Sequence, residues 1–208
     1  MPSIRISRIE RRTRVEGPGL RYAIWVQGCP IKCEGCFNPH TWDMQGGEEQ
    51  EIEEIARDIE RTLEATPELE GVTFLGGEPF SQANELSILA AKIKELGLSL
   101  LTFSGYEYAT IRSSTHPGWR RLLQATDLLI DGPYIQSQHD LSRPWIGSRN
   151  QQYRFLTKAY KHLEAELPSI PNKLEIHIHP DGTITANGMA RALDLDMLHQ
   201  LGYTRKEV

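Results

Sequence analysis

Cys29, Cys33 and Cys36 fall in one eight-residue window, and the chain has no other cysteine. Thiolates on one tight loop can take three corners of a cubane iron–sulfur cluster. The fourth iron then lacks a protein ligand and is open to a substrate. A disulfide leaves one thiol over, and such close spacing makes an unstrained bridge hard to form. Zinc is the stronger rival, because thiolate and imidazole bind it tetrahedrally and His40 follows Cys36 by four residues. Against zinc, all the cysteines share one short loop, with no second cysteine pair further along. Electron-transfer ferredoxin sites supply four cysteines per cluster, and the fourth is missing here.

A second chemical feature is Gly76-Gly77-Glu78-Pro79, between a predicted strand and a predicted helix. In a parallel α/β sheet that is the carboxyl edge, where ligands bind. Glycines let a backbone approach a ligand closely, and peptide carbonyls there accept hydrogen bonds from a ligand ammonium. A double glycine before a helix is otherwise just a turn. Ser104-Gly105 and Asp131-Gly132 also end predicted strands on this edge, with the same bland reading available. Val15 to Arg21, with Gly17, Pro18 and Gly19, reads as a tight turn. His177 and His179 are expected to face solvent or a neighbouring helix, with a ligand role the lesser reading.

The elements that must position these residues alternate in type. Tyr22 to Gln27 reads as a strand running into the cysteine loop. Glu48 to Ala65 reads as a helix, from Ile52, Ile55, Ile59 and Leu63, and its glutamates as a solvated face with favourable charge near the N-terminus. Gly71 to Leu75 is a buried strand. Ser81 is a plausible N-cap for a helix from Gln82 to Leu96, closed by Gly97. Leu98 to Phe103 and Asp127 to Asp131 read as strands, Tyr106 to Arg112 and Trp119 to Gln124 as short helices. Alternation of this kind argues for a parallel sheet covered by helices. Gly132 to Asn150 is too long for a plain connection and reads as a functional loop. Leu174 to His179, Pro180-Asp181-Gly182 and Thr183 to Thr185 form a hairpin pattern. A terminal helix from about Met189 to Leu201 follows.

With 208 residues, 39% hydrophobic and 25% charged, the chain is ordinary globular material. It is read as one domain over 1–208, with a core of about 15–156 and a C-terminal appendage of about 157–208. A net charge of −5 without a long basic run does not suggest a nucleic-acid partner. The start lacks a signal-peptide pattern, and no stretch approaches the roughly 20 apolar residues that span a bilayer. The expected compartment is the cytoplasm, where thiols stay reduced, and no membrane partner is expected.

The spacing of three and then two residues between the cysteines is the signature of the radical S-adenosylmethionine (SAM) enzymes. The chain resembles, over most of its length, the radical SAM activating enzymes of the anaerobic ribonucleotide reductase type. The stretches that carry this are Glu16-Gly17-Pro18-Gly19 with Arg21, Val26-Gln27-Gly28-Cys29, and Cys33-Glu34-Gly35-Cys36-Phe37-Asn38 with Thr41-Trp42. Gly76 to Pro79 resembles the family's SAM-amine motif, Ser104-Gly105-Tyr106 its Thr-Gly-Tyr, Asp127 to Tyr134 its Val-Asp-Gly strand, and Trp145 to Gln151 its Trp-Arg-Gly-Ser-Ser-Asn-Gln stretch. The last two, and the glycine before the third cysteine, separate it from the pyruvate formate-lyase type. Ile146 stands where the family often has Arg, and Pro133 where it often has Lys.

The resemblance implies an α/β fold, an incomplete (β/α) barrel of the radical SAM type, with a short C-terminal β-hairpin and helix. It implies a [4Fe-4S] cluster on Cys29, Cys33 and Cys36, whose free iron chelates the amino and carboxylate groups of SAM. Contacts to SAM are assigned to Gly35, Phe37, Gly76, Gly77, Glu78, Ser104 and Asp131. Flavodoxin or ferredoxin delivers one electron, SAM is cleaved, and a hydrogen atom is taken from a glycine of a large partner, the anaerobic ribonucleotide reductase. A related enzyme acting on another glycyl-radical enzyme, a peptide or a small molecule stays open, as does a non-enzymatic zinc or cluster module.

Overall fold

The computed structural model describes residues 1–178 and 184–189. Strand β1, Ser3–Thr13, opens the chain. It escapes a periodicity reading because only Ile4 and Ile6 alternate cleanly before the register shifts between Ile6 and Arg8. β2, Leu20–Val26, is buried along its whole length, as expected of a strand covered on both faces. After the cysteine loop come β3, Glu48–Glu51, and helix α1, Ile52–Ala65. The helix expected from Glu48 therefore starts four residues late. Those residues pair antiparallel with Ser3 to Ile6, and strand pairing overrides their helix propensity.

β4, Leu69–Gly76, leads through a 3-10 turn at Pro79–Gln82 into α2, Ala83–Glu95. Ser81 lies inside that turn and does not cap α2, whose N-cap is Gln82 without a side-chain hydrogen bond; the turn itself is capped by the Glu78 carboxylate, which accepts from Phe80 N–H. β5, Ser99–Ser104, is followed by short helices α3, Tyr108–Ser113, and α4, Pro117–Ala125, then β6, Leu128–Asp131, and β7, Gln152–Phe155.

The sheet order is β3-β1-β2-β4-β5-β6-β7. β2, β4, β5 and β6 run parallel; β1, β3 and β7 are antiparallel to their neighbours. The mixed α/β class with a mostly parallel centre matches the sequence expectation. The sheet does not close on itself, β3 and β7 being its edges.

One face carries the helices. Ile55 and Ile59 of α1, Leu86 and Leu89 of α2, and Leu122 of α4 pack with Ile24, Phe74, Leu100 and Leu129 of the strands. The other face is covered at β5 and β6 by the segment after β7. Tyr160, Leu163, Leu167 and Ile170 lie against Leu101, Leu128 and Ile130. That segment ends in a hairpin of β8, Leu174–Ile178, and β9, Ile184–Gly188. Thr13 Oγ1 donates to Glu175 (2.6 Å) and Gly188 N–H to Glu16 (3.0 Å), tying the hairpin to the end of β1. The expected turn at 180–182, His179 and the expected helix beyond Met189 lie outside the described residues. No described helix is long and apolar enough to cross a membrane.

Arg21 binds these layers together at the amino end of the strands. It is fully buried and donates to Pro18 O, Val72 O, Thr73 Oγ1 and Tyr160 Oη at 2.5 to 3.2 Å. Burial lowers the pKa of its guanidinium. Neutral oxygens, not a carboxylate, satisfy its donors.

Candidate functional site

The parallel register sets Val26 beside Gly76 and Ser104 beside Asp131. The carboxyl ends of β2, β4, β5 and β6 thus share one edge, and the three groups of residues singled out in the sequence meet there. The cysteine loop leaves β2 and folds back on itself. Gly28 N–H donates to Thr41 O (2.8 Å) and Cys29 N–H to Trp42 O (3.3 Å). Gln27 Nε2 closes it further, donating to the carbonyls of His40 (3.1 Å) and Asp43 (2.8 Å).

Within this loop all the thiols are free and half-buried. Each sulfur has a backbone N–H beside it. Cys29 has those of Ile31 and Lys32, Cys33 that of Tyr134, and Cys36 that of Asn38 at 3.3 Å. Lys32, at φ 51°, is one of the few non-glycine residues in the left-handed region, which lets consecutive N–H groups turn toward one sulfur. Burial raises the Cys29 and Cys33 thiols; the backbone donors oppose it. Amides aimed at sulfur stabilise thiolate and tune an iron–sulfur cluster. Three thiolates on one loop, each with a backbone amide beside it, fit an iron–sulfur cluster.

The Gly76–Pro79 turn is sewn to the loop. Gly77 N–H donates to Val26 O (2.8 Å) and Glu78 N–H to Gly28 O (2.9 Å). A Cβ on Gly77 meets Gly28 O at 2.5 Å, and one on Gly76, at φ 100°, meets Trp25 Cα at 2.7 Å. The need for glycine here is explained by contact with the backbone next to Cys29 before any ligand is considered. Glu78 is buried; it accepts from Phe80 N–H (2.9 Å), Gly105 N–H (2.8 Å) and Ser104 Oγ (3.0 Å). Burial nevertheless pushes its carboxyl up to about 7. Ser104 therefore reaches the site through Glu78.

Asp131 also lies on this edge, but its oxygens accept from Tyr108 N–H and Arg154 Nε, both at 2.8 Å. It orders α3 and β7. Phe37 is exposed and sits edge-on to Tyr134, ring centroids 5.2 Å apart. Gly35, at φ 71°, faces the Gln136 side chain. The loop after β6 thus lies against the cysteine loop. Tyr134, whose N–H serves Cys33, escaped the sequence reading because it is remote in the chain and acts through its backbone. His177 lies 3.5 Å from Glu175, away from this edge. Ile146, which stands where the resembled family often has Arg, is fully buried under the segment after β7, which accounts for its apolar character.

Residues 15–154 match the family model described as a 4Fe-4S single cluster domain. The chain is 33% identical over 144 residues to the anaerobic ribonucleoside-triphosphate reductase-activating protein of Vibrio cholerae serotype O1, covering 66% of this chain and 88% of that protein. The like-named protein of Enterobacteria phage T4 is 30% identical over 145 residues, covering 66% and 85%. The pyruvate formate-lyase-activating enzyme of Clostridium pasteurianum is 34% identical over 131 residues, covering 61% of this chain but 50% of its own length.

Proposed function

This chain belongs to the radical SAM activating proteins of the anaerobic ribonucleoside-triphosphate reductase type, and from that membership we propose that it places a radical on a glycine of such a reductase. The observation that carries the reading is the set of cysteine thiols, each met by a backbone N–H, at the carboxyl edge of a parallel sheet. We assign Cys29, Cys33 and Cys36 as the cluster ligands. When bound, a [4Fe-4S] cluster supplies the electron that splits SAM into methionine and a 5′-deoxyadenosyl radical, which takes the hydrogen atom.

The chain's own residues bind, orient and exclude water. The amides beside the sulfurs hold negative charge on the thiolates. Gly76, Gly77 and Glu78 meet the methionine end of SAM, with Ser104 fixing the Glu78 carboxylate; Gly35 and Phe37 stand on the same side. Asp131 enters this reading only as a support for α3. The open sheet, whose described α-helices α1, α2 and α4 pack on one face, is read as the incomplete (β/α) barrel of radical SAM enzymes. An open side lets a glycine loop of a large protein reach the edge. Residues 132–151, packed against the cysteine loop, form the surface that meets it. The core of about 15–156 carries this chemistry. Flavodoxin or ferredoxin is the proposed reductant, in a reducing, cytoplasm-like compartment.

The match to a pyruvate formate-lyase-activating enzyme favours another glycyl-radical enzyme as the second reading. One experiment separates them. The protein is reconstituted anaerobically with iron and sulfide and given SAM and dithionite. 5′-Deoxyadenosine is measured, and glycyl radical is sought by electron paramagnetic resonance on each candidate partner. Radical on the reductase alone supports the proposal; radical on the lyase alone moves the assignment. A colourless protein that binds zinc and forms no 5′-deoxyadenosine overturns both.

A further inference from the structure

Asn172, in the segment beyond β7, holds three peptide groups of the loop after β6. Its Nδ2 donates to Leu141 O (2.5 Å) and Arg143 O (3.0 Å), and its Oδ1 accepts from Trp145 N–H (3.1 Å). The amide group thus uses both its donor and its acceptor on one short stretch of backbone. Trp145 needs holding. Its φ is 63°, a conformation that is strained for a bulky residue and persists only where its surroundings impose it. Trp145 and Ile146 are buried under Tyr160, Leu163, Leu167 and Ile170.

The same loop then runs forward to the cysteine loop. A Cβ on Gly147 meets the Phe37 ring at 2.8 Å, and Gly147 and Ser148 N–H both donate to Gln151 Oε1. Asn150 Nδ2 reaches Pro133 O (2.7 Å), while Arg149 stands exposed. The loop is therefore pinned behind by the C-terminal segment and faces outward beside the candidate cluster site. The family match ends at residue 154, so the pin lies outside it.

We propose that Asn172 is a positioning residue that holds the Leu141–Gln151 loop in the shape that binds the glycyl-radical partner. This rests on the reading of that loop as the partner-facing surface. Without its three hydrogen bonds Trp145 relaxes out of the left-handed region and the loop samples other shapes. If a tenth of the molecules keep the competent shape, apparent affinity for the partner falls about tenfold.

The test uses the full chain loaded with cluster, SAM and dithionite, with the large subunit of an anaerobic ribonucleotide reductase as probe. Glycyl-radical formation is followed against subunit concentration. Asn172→Ala raises KM for the subunit about tenfold, with kcat at saturation within about twofold, the pattern of lost uniform binding. Asn172→Asp keeps the acceptor for Trp145 but sets an oxygen against two carbonyls, so it raises KM at least as much. Asn172→Ser, which keeps at most one bond, gives an intermediate rise and serves if the Ala variant fails to fold. Asn172→Asp behaving as wild type shows a space-filling side chain and overturns the proposal. Loss of kcat and iron with KM unchanged overturns it too. Arg149→Ala tests the underlying reading: a raised KM there with unchanged Asn172 variants rejects the pin alone. An unchanged KM in Arg149→Ala rejects the loop as a partner surface, and the pin with it.

Discussion

Cys29, Cys33 and Cys36 differ in what stands around them but share one requirement, a thiolate at each corner. Replacing any one with Ala is expected to lower iron content and to abolish 5′-deoxyadenosine formation. The circular dichroism spectrum should stay close to wild type, because none of these side chains belongs to the apolar core. A single variant with near-normal 5′-deoxyadenosine production rejects the ligand assignment. Gly77 carries a structural demand in addition to its proposed place beside SAM. Since its Cβ meets Gly28 O at 2.5 Å, Gly77→Ala must displace the backbone beside Cys29. Iron content and SAM affinity are both expected to fall, read by iron analysis and equilibrium dialysis. If affinity falls while iron is unchanged, the glycine serves the ligand alone.

At the scale of elements, the edge that carries the site depends on how β5 and β6 are locked at their other end. Asp127 does much of that. It is buried, accepts from Leu100 N–H (2.8 Å) and Lys94 Nζ (2.6 Å), and takes Thr157 Oγ1 on its other oxygen (2.7 Å). A strand, a helix and the start of the C-terminal segment thus meet on one carboxylate. Asp127→Ala leaves a buried N–H unpaired, at a cost of about 1–3 kcal/mol. In a domain of this size the melting temperature should drop by roughly 3–10 °C. 5′-Deoxyadenosine formed per cluster should be unchanged at a temperature where both proteins are folded. Unchanged melting would mean that water or a neighbour replaces the carboxylate. The correction at β3 belongs to this scale as well. Glu48 to Glu51 have no apolar pattern that tells helix from strand, and only the approach of Ser3 to Ile6 makes them a strand.

For the molecule as a whole, a buried carboxyl, Glu78, and a partly buried one, Glu16, contribute to the dependence of stability on pH. Desolvation by their surroundings pushes Glu16 and Glu78 up to about 7. Both pKa values are raised above the unfolded carboxylate value. Between about pH 4.5 and 7 the folded state keeps protons that the unfolded state has released, so stability falls as pH rises through that window. Among the described residues, Glu16 accepts from Gly188 N–H, a bond a glutamine oxygen can keep. Glu16→Gln should therefore melt with a shallower decline from pH 5 to 7, by up to about 2–4 °C per pH unit. Equal slopes for the two proteins would mean that Glu16 titrates alike folded and unfolded. This carboxyl ties the hairpin to the chain just before β2, so the effect also reports whether the C-terminal segment is docked.

The cysteine spacing, the double glycine and the alternation of strand and helix were legible because each is local. Three thiols within eight residues must share one loop whatever the rest of the chain does, and apolar spacing marks α1 and β2 without reference to a partner. Which residues meet across that loop was not legible. Tyr134 N–H beside Cys33, Gly28 O against Gly77 and Asn172 on three peptide groups all join stretches remote in sequence. Asp131 carried the same warrant as Ser104 from the sequence, since both end parallel strands. Tertiary structure gave them different partners, an arginine and an amide for Asp131 and the Glu78 carboxylate for Ser104. The physical reason is that a hydrogen bond depends on position to within tenths of an ångström, and only packing of the whole chain fixes positions that finely.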